Sequence, residues 1–478
     1  MIGIDAGTFH TVAVEFDDKG AIHLPRRSIP SIARRIGDKT LVGWEAKLQQ
    51  GIKSELILAP KLRLANATKD RALLQEIIQQ LVKQALEDLV GSGASKAAVV
   101  TVPPGWNFDQ CEILKEAIQA RIPSIQFIHE PVALTLAALH MAPQYQTDPR
   151  LIAKLDSSEH FLVCDWGAGT VDLALIGISR HGLQYEFSCL FEHTDTEHGG
   201  TAIARDVVQA FREENKGGTS IGQDEEAYLL QAYWEGEHLG RDFSGYAPFI
   251  ESRLKAAATS IAKIISGVLQ KLGSEEADNV LVVLHGGPLE SSELRKLLKN
   301  SVNNLRNLDD NRFVHIGSDF AKQVPNKGIP WRRDVLVAFG ASLFGQNGKA
   351  LPEFEYEVLL KNARGESTSS VKLAIGPNLS GRQIIQPPFT DTDYYVEVRQ
   401  LRKNSQGTLT PTAVSKELAH YVRPGALLRY SVSEAGVGYA CIEALEVTNT
   451  MSPKPFSDSK SAKIILPERS TRFLINMR

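Results

Sequence analysis

Apolar residues in the first 345 positions alternate between short unbroken runs and stretches with helical spacing. The short runs predict buried strands at residues 2–4, 12–14, 97–102, 125–128, 161–164, 173–175 and 280–284. Apolar positions three and four residues apart predict helices at 73–90, 107–120, 132–141, 202–213, 252–272 and 335–344. Strands that alternate with helices are typical of α/β proteins with a largely parallel sheet.

One strand–turn–strand pattern occurs twice in this region. Asp5-Ala6-Gly7-Thr8 separates the first two apolar runs, and Asp165-Trp166-Gly167-Ala168-Gly169-Thr170 separates the runs at 161–164 and 173–175. In each copy an Asp ends the first strand and a Gly/Thr turn follows. The pattern indicates a duplication with one copy in each of two lobes.

Helical spacing fades after Gly345, and short β-type runs replace it at 356–360, 371–374, 394–398, 427–432, 439–444 and 463–466. Gly/Pro turn signals separate these runs, which predicts an all-β sandwich or small barrel. The expected domains are therefore residues 1–345, with lobe I at about 1–160 and lobe II at about 161–345, a linker at 346–352, and a β-sandwich-like domain at 353–478.

Composition narrows the class of protein. Of the 478 residues, 43% are hydrophobic and 23% are charged, values typical of globular proteins rather than disordered or membrane proteins. The net charge of −3 argues against nucleic acid as a partner. The four cysteines have no metal-binding or disulfide spacing, and no leader or long apolar segment is evident. We therefore expect a cytoplasmic protein without nucleic-acid or membrane partners.

The repeated turns carry the candidate chemistry. A glycine turn exposes successive backbone N–H groups to an anion, and a threonine adds a hydroxyl donor. An Asp at the strand end can hold Mg²⁺ or its waters, which then bridge phosphates. Two such turns that face each other would clamp a nucleoside triphosphate between the lobes. Two ordinary hairpin turns are the alternative explanation.

The motifs of the first 344 residues resemble, in order, those of the 70-kDa heat-shock (DnaK-type) chaperones of the actin-like ATPase superfamily. The resembling segments are the two phosphate loops at 2–8 and 165–172 (DLGGGTFD), 102–107 (VPAxFN), 128–133 (INEPTAA), 194–200 (GDxxLGG), 284–287 (VGG) and 334–341 (DEAVAYGAA). The resemblance implies a duplicated actin-like (ribonuclease-H-like) two-lobed ATPase domain, followed here by a small all-β domain.

The resemblance also assigns roles to individual residues. Asp5 and Asp165 would hold hydrated Mg²⁺. The catalytic set would be Lys61, Glu130, Asp165 and Asp172. Contacts to ATP or ADP would come from Asp5, Gly7, Thr8, Phe9, Gly167, Ala168, Gly169, Thr170, Gly199, Gly200, Gly286, Gly287 and Asp334.

Each assignment has a simpler alternative. Lys61 could be a solvated surface lysine, and Glu130 a helix-start acid favoured by the helix dipole. Gly199 and Gly200 could form an ordinary strand-to-helix turn.

Several positions depart from the family pattern. Ala168 replaces a loop glycine, and Phe9 and His10 replace a Thr and an aromatic residue. On the adenosine side, Pro288 and Glu290 replace a Ser and a base-stacking Arg. The adenine-clamping helix has at best a remnant at 234–241.

The features that couple nucleotide to client are altered as well. Cys111, for which a structural role is favoured over a reactive thiol, replaces the arginine of the proline-switch relay. The acidic-leucine linker, the helical lid and the acidic tail are not found, so an atypical, lidless member is expected. Residues 394–396 could line a peptide groove, but an ordinary core strand is favoured.

Three functions remain open. The first is an atypical heat-shock-70-like chaperone or switch that slowly hydrolyses ATP with Mg²⁺ and controls a protein or peptide client, with a J-type co-chaperone as a possible partner. The second is a nucleotide-binding scaffold without significant ATPase activity. The third, less favoured, is a sugar-kinase-type phosphotransferase, which shares the Asp-x-Gly-Thr loops but does not usually end in a β domain.

Overall fold

The computed structural model describes residues 1–476, except 18, 50–54, 66–68, 90–96, 107, 143–152, 156, 182–183, 215–228, 230–243, 271, 273–278, 307–311, 324–330, 352–353, 363–366, 375–382, 386–393, 404–408, 416–426, 437–438, 448–461 and 468–471. The chain divides into two units. Unit 1 contains Met1–Tyr185, Cys189–Gly348 and Ile475–Arg478, and unit 2 contains Glu186–Ser188 and Lys349–Leu474.

The first sheet of unit 1 contains the first copy of the repeated pattern. Its strands are β1 (Ile2–Ala6), β2 (His10–Phe16), β3 (Ile22–His23), β4 (Ile29–Pro30), β8 (Ala97–Val102) and β9 (Ser124–His129). The order is β3-β2-β1-β8-β9, and β4 pairs with β2. β1 pairs antiparallel with β2 and parallel with β8, and β8 pairs parallel with β9. We call this sheet and its helices the first lobe.

The second sheet repeats this arrangement. Its strands are β10 (His160–Trp166), β11 (Val171–His181), β12 (Gln184–Asp195), β13 (Val280–His285) and β14 (Phe313–His315), in the order β14-β13-β10-β11-β12. β10 pairs antiparallel with β11 and parallel with β13, which pairs parallel with β14. This second lobe confirms the predicted duplication and the two-lobed, actin-like α/β fold.

Ten helices of unit 1 have bounds among the described residues. They are α1 (Trp44–Leu48), α2 (Pro60–Ala65), α3 (Arg71–Glu87), α4 (Phe108–Gln119), α5 (Glu130–Met141), α6 (Gly200–Glu214), α7 (Ala247–Leu269), α8 (Ser292–Arg306), α9 (Ser318–Gln323) and α10 (Leu336–Asn347). The predicted apolar stripe of α7, including Leu254, Ile261 and Ile265, is buried in the core of the second lobe. α7 begins earlier than predicted because Pro248 occupies its first turn, where a missing N–H costs nothing.

The position of α10 differs from the sequence prediction. The sequence assigned 161–345 to lobe II, but α10 packs against β1, β2, β8 and α5 of the first lobe. Its residues from Leu336 to Phe344 are all buried. The approach is close, because a Cβ added at Gly3 or at Gly340 would overlap the backbone carbonyl of Ala338 or Ala133, respectively.

A small sheet of three antiparallel strands was not predicted. It contains β5 (Ile32–Ile36), β6 (Lys39–Val42) and β7 (Glu55–Leu58), in the order β6-β5-β7. Its small cluster of buried residues consists of Ile32, Leu41 and Ala46. Polar and basic residues interrupt its strands, so the alternation of apolar positions is too weak to stand out. α2, which follows β7, carries Lys61.

The described part of unit 2 contains two antiparallel sheets and no described helix. One has the order β17-β16-β19-β20 and the other the order β18-β21-β22-β23. The strands are β16 (Phe354–Asn362), β17 (Ser367–Ala374), β18 (Gln383–Ile385), β19 (Tyr394–Lys403), β20 (Leu409–Ser415), β21 (Leu427–Gly436), β22 (Tyr439–Val447) and β23 (Ala462–Pro467). β24 (Arg472–Asn476) comes last, and residues 394–396 begin β19. The predicted all-β character of this region is confirmed.

Residues 346–351 of the segment predicted as a linker form regular secondary structure. Residues 346–347 end α10, and β15 (Gly348–Leu351) follows without a gap. The turn signal at Gly345 was misleading, because this glycine lies within the last turn of a helix, where the side chain of Met1 and Val99 leave no room for a Cβ. Among the described helices of the chain, none is both long and apolar enough to cross a membrane.

The close packing of α10 can be tested with two helical glycines. Gly340→Ala should lower the free energy of unfolding by about 1–3 kcal/mol, because the new methyl group meets the Ala133 carbonyl. Gly267→Ala in α7 is the matched control, since a Cβ there meets nothing within 4 Å. The control should leave stability unchanged or raise it by up to about 1 kcal/mol. Equal effects of the two changes in urea unfolding would contradict the packing argument.

Candidate active site

The two repeated turns face each other at the junction of the lobes. In the second turn, the Gly167 N–H donates to the Thr170 carbonyl at 2.9 Å. A Cβ added at Gly169 would overlap the side chain of Thr8, so the first turn touches the second. Only glycine allows this approach. The structure thus brings the two halves of the repeat together, although 160 residues separate Asp5 from Asp165.

Gly199 and Gly200 support the second turn from behind. The Gly200 N–H donates to the Gly167 carbonyl at 3.1 Å, and the Thr201 N–H donates to the Ala168 carbonyl at 2.6 Å. These contacts fix the start of α6 against the turn. The two glycines therefore do not line the cavity between the lobes. Their position fits the simple strand-to-helix turn that the sequence left open as an alternative.

A cavity of about 920 Å³, including its part open to solvent, lies between the turns. The residues on its wall that the sequence selected are Asp5, Gly7, Thr8, Phe9, Lys61, Glu130, Asp165, Gly167, Ala168, Gly169, Thr170, Gly286, Gly287 and Asp334. Asp172 lies behind this wall.

Lys61 is the cation of a buried acidic cluster. Its side chain is only 4% exposed, and Nζ contacts Glu130 Oε1 at 2.7 Å and donates to the Thr101 carbonyl at 3.2 Å. The Thr101 hydroxyl donates to Asp5 Oδ1 at 2.9 Å. Burial alone would lower the pKa of Lys61, but Glu130 and Asp5 raise it above its usual value, so the amine remains charged. A buried, paired lysine excludes the solvated-surface alternative.

The carboxylates of the cluster hold their protons unusually tightly. Burial, together with the charge of Glu130, raises the pKa of Asp5 and of Asp165 to about 7. The same two causes raise the pKa of Asp172 well above its usual value. The charge of Lys61 lowers the pKa of Asp5 and of Asp165, but it does not offset burial and the charge of Glu130.

Asp172 is fixed by two hydroxyl groups. It is 1% exposed and pairs with Asp165 across β11 and β10. The Thr170 hydroxyl donates to Oδ2 at 2.6 Å, and the Thr194 hydroxyl donates to Oδ1 at 2.7 Å. Both hydrogen bonds oppose the rise in its pKa. The carboxylate thus has a defined orientation just behind the turn that contains Thr170.

The wall at the end of β13 consists largely of backbone. Gly286 has φ +108°, a conformation that side-chain-bearing residues rarely adopt, and a Cβ there would overlap the Trp166 carbonyl. His285 next to it is buried, and burial lowers its pKa to about 4. Its Nδ1 bonds the Ile316 carbonyl at 2.6 Å. A neutral imidazole with the proton on Nδ1 satisfies this contact.

Glu290, which replaces an arginine of the family pattern, does not point into the cavity. Its carboxylate accepts the Ser318 N–H at 2.9 Å and lies 3.5 Å from Arg333 Nη1 and 3.7 Å from His315 Nε2. Burial raises the pKa of Glu290, but these partners together lower it below its usual value. Pro288 and Arg333 occupy the cavity wall instead, so a guanidinium group is still present on this side.

Asp334 links the last helix to the first lobe. It accepts a short hydrogen bond from the Ser28 hydroxyl and pairs with Arg332 Nε at 3.1 Å. Arg332 also donates to the carbonyls of Pro25 and Arg26 and to the Ser28 hydroxyl. Asp334 therefore has a structural hydrogen-bond network in addition to its place on the cavity wall.

The donor set fits a magnesium ion that is bound mainly through water and phosphate. Asp5 and Asp165 are buried, short of positive charge and on the cavity wall, and oxygen ligands of this kind suit Mg²⁺. Within the described residues, no group of three or more His, Cys, Asp or Glu side chains could enclose a metal ion directly.

Comparison with known proteins agrees with this geometry. The family model described as Hsp70 protein matches residues 64–244. The chaperone protein DnaK of Elusimicrobium minutum (strain Pei191) is 24% identical over 332 residues, which is 62% of this chain and 50% of that protein. The chaperone protein DnaK of Ureaplasma parvum serovar 3 is 29% identical over 192 residues, which is 37% of this chain and 30% of that protein. The aligned regions thus span half or less of these relatives.

The duplicated fold, the ordered motifs and these matches support a relationship of the chain to the 70-kDa heat-shock proteins, within the actin-like ATPases. The low identity fits an atypical member.

The sequence did not assign several residues of the cavity wall, among them His285 and Arg333, and it left one region open. His285 and Arg333 stand directly beside the quoted Gly286-Gly287 and Asp334 motifs, but neither had been given a role. Cys111 is 1% exposed and burial raises its pKa to about 12, which supports a structural thiol. The segment 234–241, considered as a remnant of the adenine-clamping helix, lies outside the described residues.

The raised pKa of Asp165 predicts that the stability of the fold depends on pH. In the unfolded chain Asp165 ionises near pH 4, whereas in the folded protein it ionises near pH 7. Stability should therefore fall as pH rises through this window, and Asp165→Asn should remove that contribution. We expect the stability of Asp165→Asn relative to wild type to rise by roughly 2 kcal/mol between pH 5 and pH 8.

The measurement is urea unfolding in EDTA, so that no divalent cation compensates the charge. Asp38→Asn, in the exposed turn between β5 and β6, is the matched control and should show a constant difference from wild type. A constant difference for Asp165→Asn as well would show that folding does not raise the pKa of Asp165.

Proposed function

We propose that this chain is an atypical heat-shock-70-like chaperone or molecular switch that binds ATP with Mg²⁺ in the cleft and hydrolyses it slowly. The nucleotide would change the angle between the lobes and thereby control a protein or peptide partner through the β unit. A J-type co-chaperone is a candidate partner. The cytoplasm is the proposed location.

One observation carries the proposal. Two glycine turns from the two halves of a duplicated fold meet at one cavity, with Asp5 and Asp165 at the ends of the equivalent strands β1 and β10. Neither turn alone would indicate more than a hairpin. Together they supply backbone donors from opposite sides and the hydroxyl of Thr8 from one side, an arrangement that suits the phosphates of a nucleotide.

The chain's own groups have distinct proposed tasks. Gly7, Thr8 and the backbone N–H of Thr170 donate to phosphate oxygens, and Asp5 and Asp165 hold the waters of the metal ion. When bound, Mg²⁺ would neutralise phosphate charge and relieve the excess negative charge of the acidic cluster. Lys61 stands where a cation can stabilise charge that develops on the transferred phosphoryl group.

Glu130 and Asp172 are the candidate groups for the attacking water. Glu130 lies on the cavity wall, and its ion pair with Lys61 fixes its orientation. Asp172 is held by two hydroxyls behind the wall. A general base needs a fixed position within reach of the water that it orients. Glu130 meets this requirement directly, and we assign Asp172 a supporting part.

Replacement of Lys61 tests the proposed ATPase. Lys61→Met keeps much of the side-chain volume but removes the charge, so kcat for ATP hydrolysis should fall on the order of 100-fold. The dissociation constant for ATP with Mg²⁺, measured by calorimetry, should change by less than about threefold, because backbone donors carry most of the phosphate binding. Lys83→Met on the exposed face of α3 is the matched control and should have no effect on either quantity.

The outcomes separate the three functions. Equal losses of binding and rate in Lys61→Met would contradict its assignment. No binding by wild type at millimolar ATP would exclude the ATPase and favour the scaffold. ADP formation that depends on a single sugar or polyol would favour the phosphotransferase.

A further inference from the structure

Thr194, at the end of β12, connects a backbone amide of the first lobe to a carboxylate of the second. Its Oγ1 accepts the Gly105 N–H at 2.8 Å and donates to Asp172 Oδ1 at 2.7 Å. A hydroxyl can accept and donate at the same time, so one side chain joins both groups. The family motif that this segment resembles begins with glycine at the position of Thr194, and glycine has no hydroxyl with which to form these two hydrogen bonds.

The Gly105 amide belongs to a turn that also contacts Lys61, the candidate catalytic lysine. The turn spans residues 103–106 and is closed by a hydrogen bond from the Trp106 N–H to the Pro103 carbonyl at 3.1 Å. The Trp106 ring lies 5.4 Å from Lys61 Nζ, and Pro103 is on the cavity wall. The same turn therefore contacts Lys61 through Trp106 and reaches Asp172 through Gly105 and Thr194.

A second contact holds β12 against the first lobe. Glu192, two residues before Thr194 and on the same face of the strand, forms a short hydrogen bond with His129 Nδ1. His129 directly precedes Glu130 and is buried. β12 is thus fixed to the first lobe at two points, each of them next to a candidate catalytic residue.

The contact between Thr194 and Gly105 leaves no spare room. A Cβ added at Gly105 would lie 2.8 Å from Thr194 Cβ, closer than non-bonded carbons approach. The absence of a side chain at residue 105 is therefore required for Thr194 to keep both hydrogen bonds.

We propose that Thr194 is a positioning residue that ties the orientation of the Asp172 carboxylate to the 103–106 turn of the first lobe. Movement of the two lobes relative to each other would then change the orientation of Asp172 directly, through the hydrogen bonds of Thr194. The catalytic consequence rests on the proposed ATPase function, whereas the hydrogen-bonded link does not.

The first experiment compares three threonine variants. Thr194→Val removes the hydroxyl at nearly constant shape, and kcat for ATP hydrolysis should fall about 10-fold, because a hydrogen bond to a charged group is lost. KM for ATP should stay within about twofold, since Thr194 is not on the cavity wall. Thr194→Ser should restore most of the rate. Thr259→Val, which removes an exposed hydroxyl of α7 bonded to the Lys255 carbonyl, is the matched control and should behave as wild type.

A double-mutant cycle tests whether the turn acts through Thr194. Gly105→Ala should displace Thr194 and lower kcat to a similar extent. In the Thr194→Val background the same change should cost little more, because the link to Asp172 is already broken. Fully additive effects, or a loss that appears in KM rather than kcat, would overturn the proposal.

Amide exchange tests the link without nucleotide. The Gly105 amide should exchange several-fold faster in Thr194→Val than in wild type or Thr259→Val, as followed by NMR. Asp172→Asn should also change this rate, although Asp172 does not touch Gly105. Unchanged exchange in Thr194→Val would overturn the link. If exchange responds while wild type hydrolyses no ATP, the link stands and only the proposed ATPase fails.

Discussion

The buried ion pair between Lys61 and Glu130 is the interaction on which the site depends. Without its lysine, this group of carboxylates would lose the cation that pairs with Glu130 and lowers the pKa of Asp5 and of Asp165. The charge of Arg333 also lowers the pKa of Asp165. Even with Lys61 present, burial and the charge of Glu130 raise the pKa values of Asp5, Asp165 and Asp172. A buried ion pair contributes little to stability but constrains geometry strongly, because separation of the partners leaves an uncompensated buried charge.

The duplicated fold explains how such a cluster can be assembled. Each lobe places an acid at the carboxyl end of its first strand, and each follows it with a glycine turn. The lobes meet with these turns in contact, so the acids converge from two sides. α10 returns to the first lobe and packs closely on β1, which fixes the strand that carries Asp5. The duplication thus brings Asp5 and Asp165 together, and the packing of α10 fixes the strand of Asp5.

Local patterns predicted the elements with strong periodicity. Strand β8 agrees with its prediction residue for residue, and α3 and α7 contain the expected apolar stripes. The three-stranded sheet β5 to β7 and the helix α8 were missed. Basic and polar residues interrupt the small sheet, so its local signal is weak. α8 has apolar residues at helical spacing, Leu294, Leu298 and Val302, and this signal was overlooked. Residues 346–351 of the predicted linker belong to a helix end and a strand, because a glycine can end a helix or pack inside one.

The sequence alone determined the repeat, the α/β and all-β character of its two regions, and the residue types that suit phosphate and magnesium, because these depend on local spacing. Only the tertiary structure decided which residues share the cavity. It placed Gly199, Gly200 and Asp172 behind the wall, brought Arg333 beside Glu290, and put Thr194 between two lobes. Such contacts join positions far apart in the chain, and no periodicity of a single segment encodes them.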